Sequence, residues 1–431
     1  MSSRHTSSIP RSLLRASFWA VLVLCLLPAS ARAASVNVNC TAVAPPPGVF
    51  TSIAAALATL DNTGPHTVTV TGPCTESVNI NQRDRLTIQA PVGSPATISP
   101  PAPGPTVVNI NGSHNITLRN LVLSGGGNGL VVSRGSTVTV QGLLITGNLG
   151  SGIVVNLGSV ANLGGTLADQ SVTVSDNEGS GIGSDASVLA VAGGLTVEDN
   201  GGVGLNVIGG RLTVNGGQVG NVFRNNGVGI NLDGTIANFN GLNTIQNNGP
   251  AGVQVVSGRV GFGGAVVEGV PRVTTIEGHT LGVNVAGAGS VNFGGPNRIR
   301  NNGVISDDPD PDPQFRGGIR IGTVSRVQFD GGTEITGNTG YGVLLDFNGA
   351  LSLTNAVVSN NTTFGVRVAR SSVGGFGLGN TFAGNGGPHI SCDDTSLIHG
   401  TGLTGFGKGI ECKSIEHEKG PSRPSAPKEH D

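Results

Sequence analysis

The chain has 431 residues, 72 of them glycine, with 24 basic against 26 acidic groups and 3% aromatics. Glycine stands far above its usual share of roughly 7%. The 37% of residues that are hydrophobic recur periodically, which excludes a disordered chain, and the charge balance gives no basic footprint for nucleic acid.

Residues 1–33 read as a secretory signal. Arg4, Arg11 and Arg15 precede an apolar run over residues 18–27, and Ala31-Arg32-Ala33 offers a cleavage site. The run is shorter than the roughly 20 residues that span a bilayer, and no later segment is long and apolar enough to do so. Removal takes four arginines and no acid, leaving 20 basic against 26 acidic groups, or −6. A secreted or periplasmic protein is expected.

Residues 34–62 are expected to form an N-terminal cap. Within it, Phe50-Thr51-Ser52-Ile53 starts a short helix with Thr51 or Ser52 as N-cap, and Ile53, Leu57 and Leu60 fall on one face. Short alternating runs come next: Val68-Thr69-Val70, Val78-Asn79-Ile80 and Leu86-Thr87-Ile88. A Pro-rich stretch, residues 91–105, then interrupts them.

From about residue 106 to residue 391 one pattern returns, spelled Asn225-Asn226-Gly227-Val228-Gly229-Ile230-Asn231-Leu232 in its clearest copy. The residues equivalent to Gly229 are Gly129, Gly152, Gly181, Gly204, Gly252, Gly282, Gly318, Gly342, Gly365 and Pro388. Their spacings are 23, 29, 23, 25, 23, 30, 36, 24, 23 and 23. A base period with local insertions is the signature of a solenoid. Each period holds about three short runs separated by Gly or Asn. That is too short for a strand-helix-strand unit and fits three strands and three turns.

An apolar residue precedes Asn by three positions in nearly every copy, from Ile145/Asn148 to Phe382/Asn385; His279 alone replaces the Asn. Asn tolerates the left-handed backbone of a tight corner, and stacked amides can hydrogen-bond from level to level. The fold class is therefore all-β: a parallel β-helix of about 13 coils over residues 63–412, with a short N-terminal capping helix. Residues 413–431 are charged, contain prolines and lack periodicity, so a disordered tail is expected.

The Asn-x-Gly-x-Gly-Ile coil pattern resembles the right-handed parallel β-helix of the pectin-lyase-like superfamily, over roughly residues 50–412. The opening through Leu86-Thr87-Ile88 is similar to the first coils of pectin-methylesterase-like proteins. The resemblance implies fold; the superfamily hosts many roles.

Beyond the signal stand four cysteines: Cys40, Cys74, Cys392 and Cys412. They allow three pairings. Some thirteen coils at about 4.8 Å set the two ends roughly 60 Å apart, far beyond the roughly 7 Å that a disulfide bridges between Cα atoms. Cys40–Cys74 and Cys392–Cys412 are expected, as staples of the two ends.

In Gly204-Leu205-Asn206-Val207 the apolar residues point in and Asn206 points out. Applied to every coil, this gives an outward column that includes Asn206, Asn231, Gln254, Asn284, Arg320, Leu344, Arg367 and Ser391. A second column, two residues on, holds Asp185, Asp233, Asp346 and Asp393. A polymer along the solenoid would meet these positions. Asn206, Asn231, Gln254, Asn284, Arg320, Asp346 and Arg367 are the candidate binding residues, weighed against an ordinary solvated sheet face.

The best candidate site lies on the coils of Arg320, Tyr341, Asp346 and Arg367. There the longest insertion, with Asp307, Asp308, Asp310 and Asp312, enters the strand of Arg320. Two guanidinium groups about 10 Å apart suit carboxylates along a uronate chain. Arg320, Tyr341 and Arg367 are the candidate catalytic groups for elimination. The insertion aspartates or Asp346 are candidate Ca2+ ligands; against this, Asp-Pro repeats also make stiff, soluble loops.

Gly278-His279-Thr280 followed by Arg298-Ile299-Arg300 is similar to elements of polygalacturonases. The carboxylates that inverting hydrolysis needs do not precede it, so His279 reads as a substituted corner residue. The Asp-Pro-His-Asp motif of alginate epimerases is absent. Two functions remain: an exported, non-catalytic surface or carbohydrate-binding scaffold with an acidic polysaccharide as partner, or a polysaccharide lyase or epimerase acting on a uronic-acid polymer.

Overall fold

The computed structural model describes residues 33–267, 270–303, 316–403 and 409–416. The expected signal sequence, the aspartates Asp307, Asp308, Asp310 and Asp312, and the tail from residue 417 lie outside these residues.

Short strands climb in parallel, each pairing with its counterparts one coil before and one coil after. Three faces result. The first runs through Val78–Asn81, Val108–Asn111 and Leu130–Ser133 to Ile390–Cys392 and Ile410–Glu411. The second runs from Ala34–Asn39 and His66–Thr71 to Leu397–His399 and Ile415–Glu416. The third is a sheet of 13 strands from Cys74–Thr75 to Thr381–Ala383. This is a right-handed parallel β-helix.

Alternation decides what faces inward. Leu205 and Val207 are fully buried, while Asn206 between them is partly exposed. Identical positions stack: the rings of Phe239, Phe262, Phe293 and Phe329 lie 5.0, 4.9 and 4.8 Å apart in sequence, the spacing of the coils themselves.

The buried corner amides form a ladder. Asn148, Asn177, Asn200, Asn226 and Asn248 are joined through Nδ2–H to Oδ1 of the next at 2.8–3.0 Å. Each Oδ1 also accepts the backbone N–H of the preceding ladder residue, as Asn226 Oδ1 does from Asn200. A second run joins Asn302, Asn338, Asn361 and Asn385. The left-handed backbone does not fall on these asparagines. It falls one residue earlier, on Asp176, Asp199, Asn225, Asn247, Asn301 and Asn360. The exposed residue turns the corner so that the next side chain can point into the wall.

The glycine after this corner has a different reason to be small. A Cβ on Gly204 would lie 2.7 Å from both Asn226 Nδ2 and the Gly229 carbonyl. The ladder occupies the space a side chain would need.

Both expected disulfides are present, with Cα atoms 5.1 Å apart at Cys40–Cys74 and 4.8 Å at Cys392–Cys412. The helix Ile53–Ala58 covers the first coils, with Ser52 Oγ accepting the Ala55 N–H at 3.0 Å. Glu76 accepts the Ile53 and Ala54 N–H groups at 2.6 and 3.0 Å, a carboxylate at the positive end of the helix.

Two boundaries move. The expected cap, residues 34–62, already contains a rung, since Ala34–Asn39 pairs along its length with His66–Thr71. At the other end the solenoid extends past residue 412, because Ile415 pairs with Ile398 and Glu416 with His399. Composition hid both: Ser35-Val36-Asn37-Val38 lacks the Gly-containing corners, and Ile415 is one apolar residue amid charges.

Candidate functional site

The pairing register sets Asn206, Asn231, Gln254, Asn284, Arg320, Leu344, Arg367 and Ser391 in one outward column, one per coil. Asn79 and Asn109 extend it upstream and Glu411 downstream. They lie before or after the span in which counting by glycine works. The amides engage one another, as Asn231 Nδ2–H does with Asn206 Oδ1 at 2.8 Å. Asn206, Asn231 and Gln254 stand coils away from the arginines, and Asn284 neighbours Arg320.

At Arg320 and beyond the face changes character. A cleft of about 630 Å³ is lined by Arg316, Tyr341, Asp346, Phe364, Arg367 and Arg370, among others. That volume lies in the range of small-ligand sites. Asp346 sits at its floor, 3% exposed. Its Oδ2 lies 3.5 Å from Arg320 Nη2 and 3.3 Å from Arg370 Nη1. The carboxylate is thereby shared by two guanidinium groups, one largely buried and one half-exposed.

Aromatic rings hold the exposed cations in place. Arg367 lies over Phe364, 5.3 Å to its centroid, and Arg370 lies over Phe347 at 4.4 Å. Such contacts fix a guanidinium's plane without neutralising it. From the next coil, Asp393 Oδ2 accepts the backbone N–H of Arg370 at 2.7 Å. Burial pushes the Asp393 carboxyl up, but the hydrogen bonds from Arg370, Ser396 and Thr395 outweigh it and hold the group down at about 2. Arg316 completes the cationic lining; its Nε is buried without a hydrogen-bond partner among the described residues.

Tyr341 packs with Leu281 and Leu344 in a small apolar cluster outside the main core. The ring has room because Gly317 lies against it: a Cβ there would meet Tyr341 Cδ2 at 2.7 Å. Tyr341 is 5% exposed, so it forms wall rather than a reaching side chain.

Of the candidate residues, Tyr341, Asp346 and Arg367 line the cleft, and Arg320 stands behind Asp346. Arg316, Arg370, Phe347 and Phe364 were not singled out from the sequence. They sit at corners, outside the strand alternation from which the columns were read. The recurrence of Arg at 367 and 370 was the available signal. His279 is fully buried in the amide ladder and does not meet this cleft. Among the described residues, the group with metal-ligand proximity is Cys40, Cys74 and Glu76; its cysteines are disulfide-bonded and its carboxylate caps the helix.

No family model matches the chain, and no curated protein matches it. Solved structures with a similar trace include the mannuronan C-5 epimerase AlgE6 A-module of Azotobacter vinelandii. It is 16% identical, with 80% of this chain and 92% of that chain covered and a TM-score of 0.35. An alginate lyase from Paenibacillus sp. str. FPU-7 is 13% identical over 83% of this chain and 99% of that chain, with a TM-score of 0.24. PfbA, a surface adhesin of Streptococcus pneumoniae, is 11% identical over 78% and 86%, with a TM-score of 0.28. The fold rests on the strand registers, and these likenesses transfer no activity.

Proposed function

We propose that the protein is an exported, non-catalytic β-helix that binds an acidic polysaccharide, taking a uronate carboxylate in the cleft of Arg316, Arg367 and Arg370. One observation carries this: three guanidinium groups line the cleft, and Asp346, the carboxylate among them, is already shared by Arg320 and Arg370. The surplus of positive charge suits planar oxyanions, which arginine engages in pairs of parallel hydrogen bonds. The two disulfides support export, since such bonds persist in oxidising compartments.

Binding is the stronger reading than elimination. Elimination requires a base beside the acidified proton. In the lining, Asp346 is tied to two cations and Tyr341 is buried. Arg320, buried behind Asp346, cannot reach a ligand in the cleft as readily as Arg367 and Arg370.

The test is affinity electrophoresis and calorimetry against polygalacturonate, alginate, hyaluronan and a neutral glucan. The expected result is binding of at least one uronate polymer, weakened by salt and reduced tenfold or more in Arg367→Gln/Arg370→Gln with unchanged melting. Equal binding by this variant would sink the assignment of the cleft. Unsaturated product released from any of these polymers, with or without Ca2+, would overturn the non-catalytic reading.

A further inference from the structure

A second cleft, of about 410 Å³, opens at a different corner, where the second face turns toward the third in the early coils. Gln89 and Arg119 lie on its floor, in a short outward column that Gln141 continues. Gln89 pairs with Arg119, and Arg119 with Gln141, so a guanidinium lies between two amides at one coil spacing on either side. The Arg119 side chain makes no hydrogen bond or ion pair with another described residue.

The walls are the two insertions that the base period does not require. On one side stand Pro91, Val92 and Gly93, from the Pro-rich stretch. Asn120 fastens this wall: its Nδ2–H groups reach the Ala90 carbonyl at 3.3 Å and the Pro91 carbonyl. On the other side stands the 3-10 turn Ala168–Gln170. Gly142 lets it come close, since a Cβ there would lie 2.7 Å from the Asp169 carbonyl oxygen. Asp169 and Ser171 line that side. Both departures from the repeat thus meet over one arginine that has no partner among the described residues.

We propose that this cleft is a second binding site, for a carboxylated sugar unit. The Arg119 guanidinium takes the carboxylate, and the Gln89 amide flanks it. The Asp169 carboxylate, on the facing wall, accepts ring hydroxyls and disfavours a sugar ring that itself bears a second anionic group. A simple anion satisfies only Arg119, and a neutral sugar only Asp169 and the amide; a monoanionic, hydroxylated ring satisfies both. A sulfated sugar offers the same charge and hydroxyls, so the two sources are separated by experiment. The site lies roughly 40 Å along the axis from the first cleft and stands independently of it.

The experiment is calorimetric titration of the mature protein with trigalacturonate, glucose 6-sulfate and maltotriose. The variants are Arg119→Gln, which keeps the amide character of the column, and Arg367→Gln/Arg370→Gln. The expected result is two sites for trigalacturonate in the wild type. Arg119→Gln should lose one of them, with affinity there falling at least tenfold, while its melting temperature stays within error. Arg367→Gln/Arg370→Gln should keep the Arg119 site. Tighter binding of glucose 6-sulfate than of trigalacturonate at the Arg119 site would overturn the carboxylate assignment. Binding to the first-cleft variant that Arg119→Gln does not diminish, or no binding to it at all, would overturn the second site and leave the first untouched. Loss in Arg119→Gln alone would instead refute the function proposed for the first cleft.

Discussion

His279 Nδ1 accepts the backbone N–H of Asn248 at 3.2 Å, the place that Asn Oδ1 atoms fill in neighbouring coils. Its Nε2 lies 3.1 Å from the Ile245 carbonyl, where Asn248 and Asn302 each present Nδ2–H to the equivalent carbonyl. An imidazole protonated on Nε2 and bare on Nδ1 therefore imitates an amide. Protonation of Nδ1 would set a donor against the Asn248 N–H and leave it only the Asn248 carbonyl, at 3.3 Å, to bond with.

Acid should therefore weaken the solenoid at this coil. Burial is the main cause that holds the His279 pKa below its ordinary 6.5, with the Ile245 and Asn248 hydrogen bonds and the Glu277 charge opposing it. The folded pKa lies below the unfolded one, so the unfolded state binds the extra proton first. The neutral histidine's contribution is complete above about pH 6.5 and is lost as pH falls below it toward the folded pKa, at up to about 1.4 kcal/mol per pH unit. His279→Asn should remove this slope and extend the ladder through the gap. Denaturant melts at pH 7.5 and 5 measure it; equal acid sensitivity in variant and wild type would refute the argument.

The ladder itself should be worth measurable stability. Asn226 Nδ2 donates to the Asn248 Oδ1 and to the Val197 and Arg224 carbonyls, all at 2.9–3.1 Å. Leucine would strand these buried acceptors, so Asn226→Leu should cost about 1–3 kcal/mol. Asn231→Ala, which removes an outward amide, should cost less than about 1 kcal/mol. Denaturant melts compare them, and equal effects would mean the corner amides are not special.

The end of the solenoid gives a sharper pair of truncations. Cutting after Lys413 removes Ile415, which pairs with Ile398 on the last coil. It should lower the melting temperature by about 1 °C, as a loss of about 1 kcal/mol does in a domain of this length. Cutting after Glu416 should leave it within error. Thermal melts of both truncations decide whether stability resides in the final rung or in residues 417–431.

Much of the architecture was legible because one coil cannot bury its own apolar face, so every coil must repeat the same solution. That constraint writes Gly229, Asn226 and Ile230 into the sequence at a countable period, and the period alone places Arg320, Leu344 and Arg367 in one column. The cleft was less legible. Arg370 and Phe347 sit at corners with positive φ, where strand alternation does not say which way a side chain turns. The Arg119 cleft was not legible at all, since its walls come from insertions far apart in sequence. What a repeat encodes is its own stacking; departures from the repeat are read from the packed chain.

Asp346 is the residue on which the first cleft depends, and Asp346→Asn tests this with little change in shape. The substitution removes a charge that is 4% exposed at the side chain and faces two guanidinium groups at 3.5 and 3.3 Å. Arg320, 13% exposed at its side chain, loses a counter-charge and has little access to water to replace it. Weakening a buried, charged hydrogen bond is costly, so stability should fall by about 1–3 kcal/mol. Arg370 is half-exposed, and its loss is cushioned by solvent and by Phe347. The cleft's net charge rises, so encounter with a uronate polymer should quicken at low salt. Yet Arg370 is no longer held by the Asp346 carboxylate, and dissociation should quicken more. Surface plasmon resonance separates the two rates, and a denaturant melt gives the stability. A slower dissociation than wild type, with stability lost as expected, would show that Asp346 competes with the ligand for Arg370 rather than positioning it.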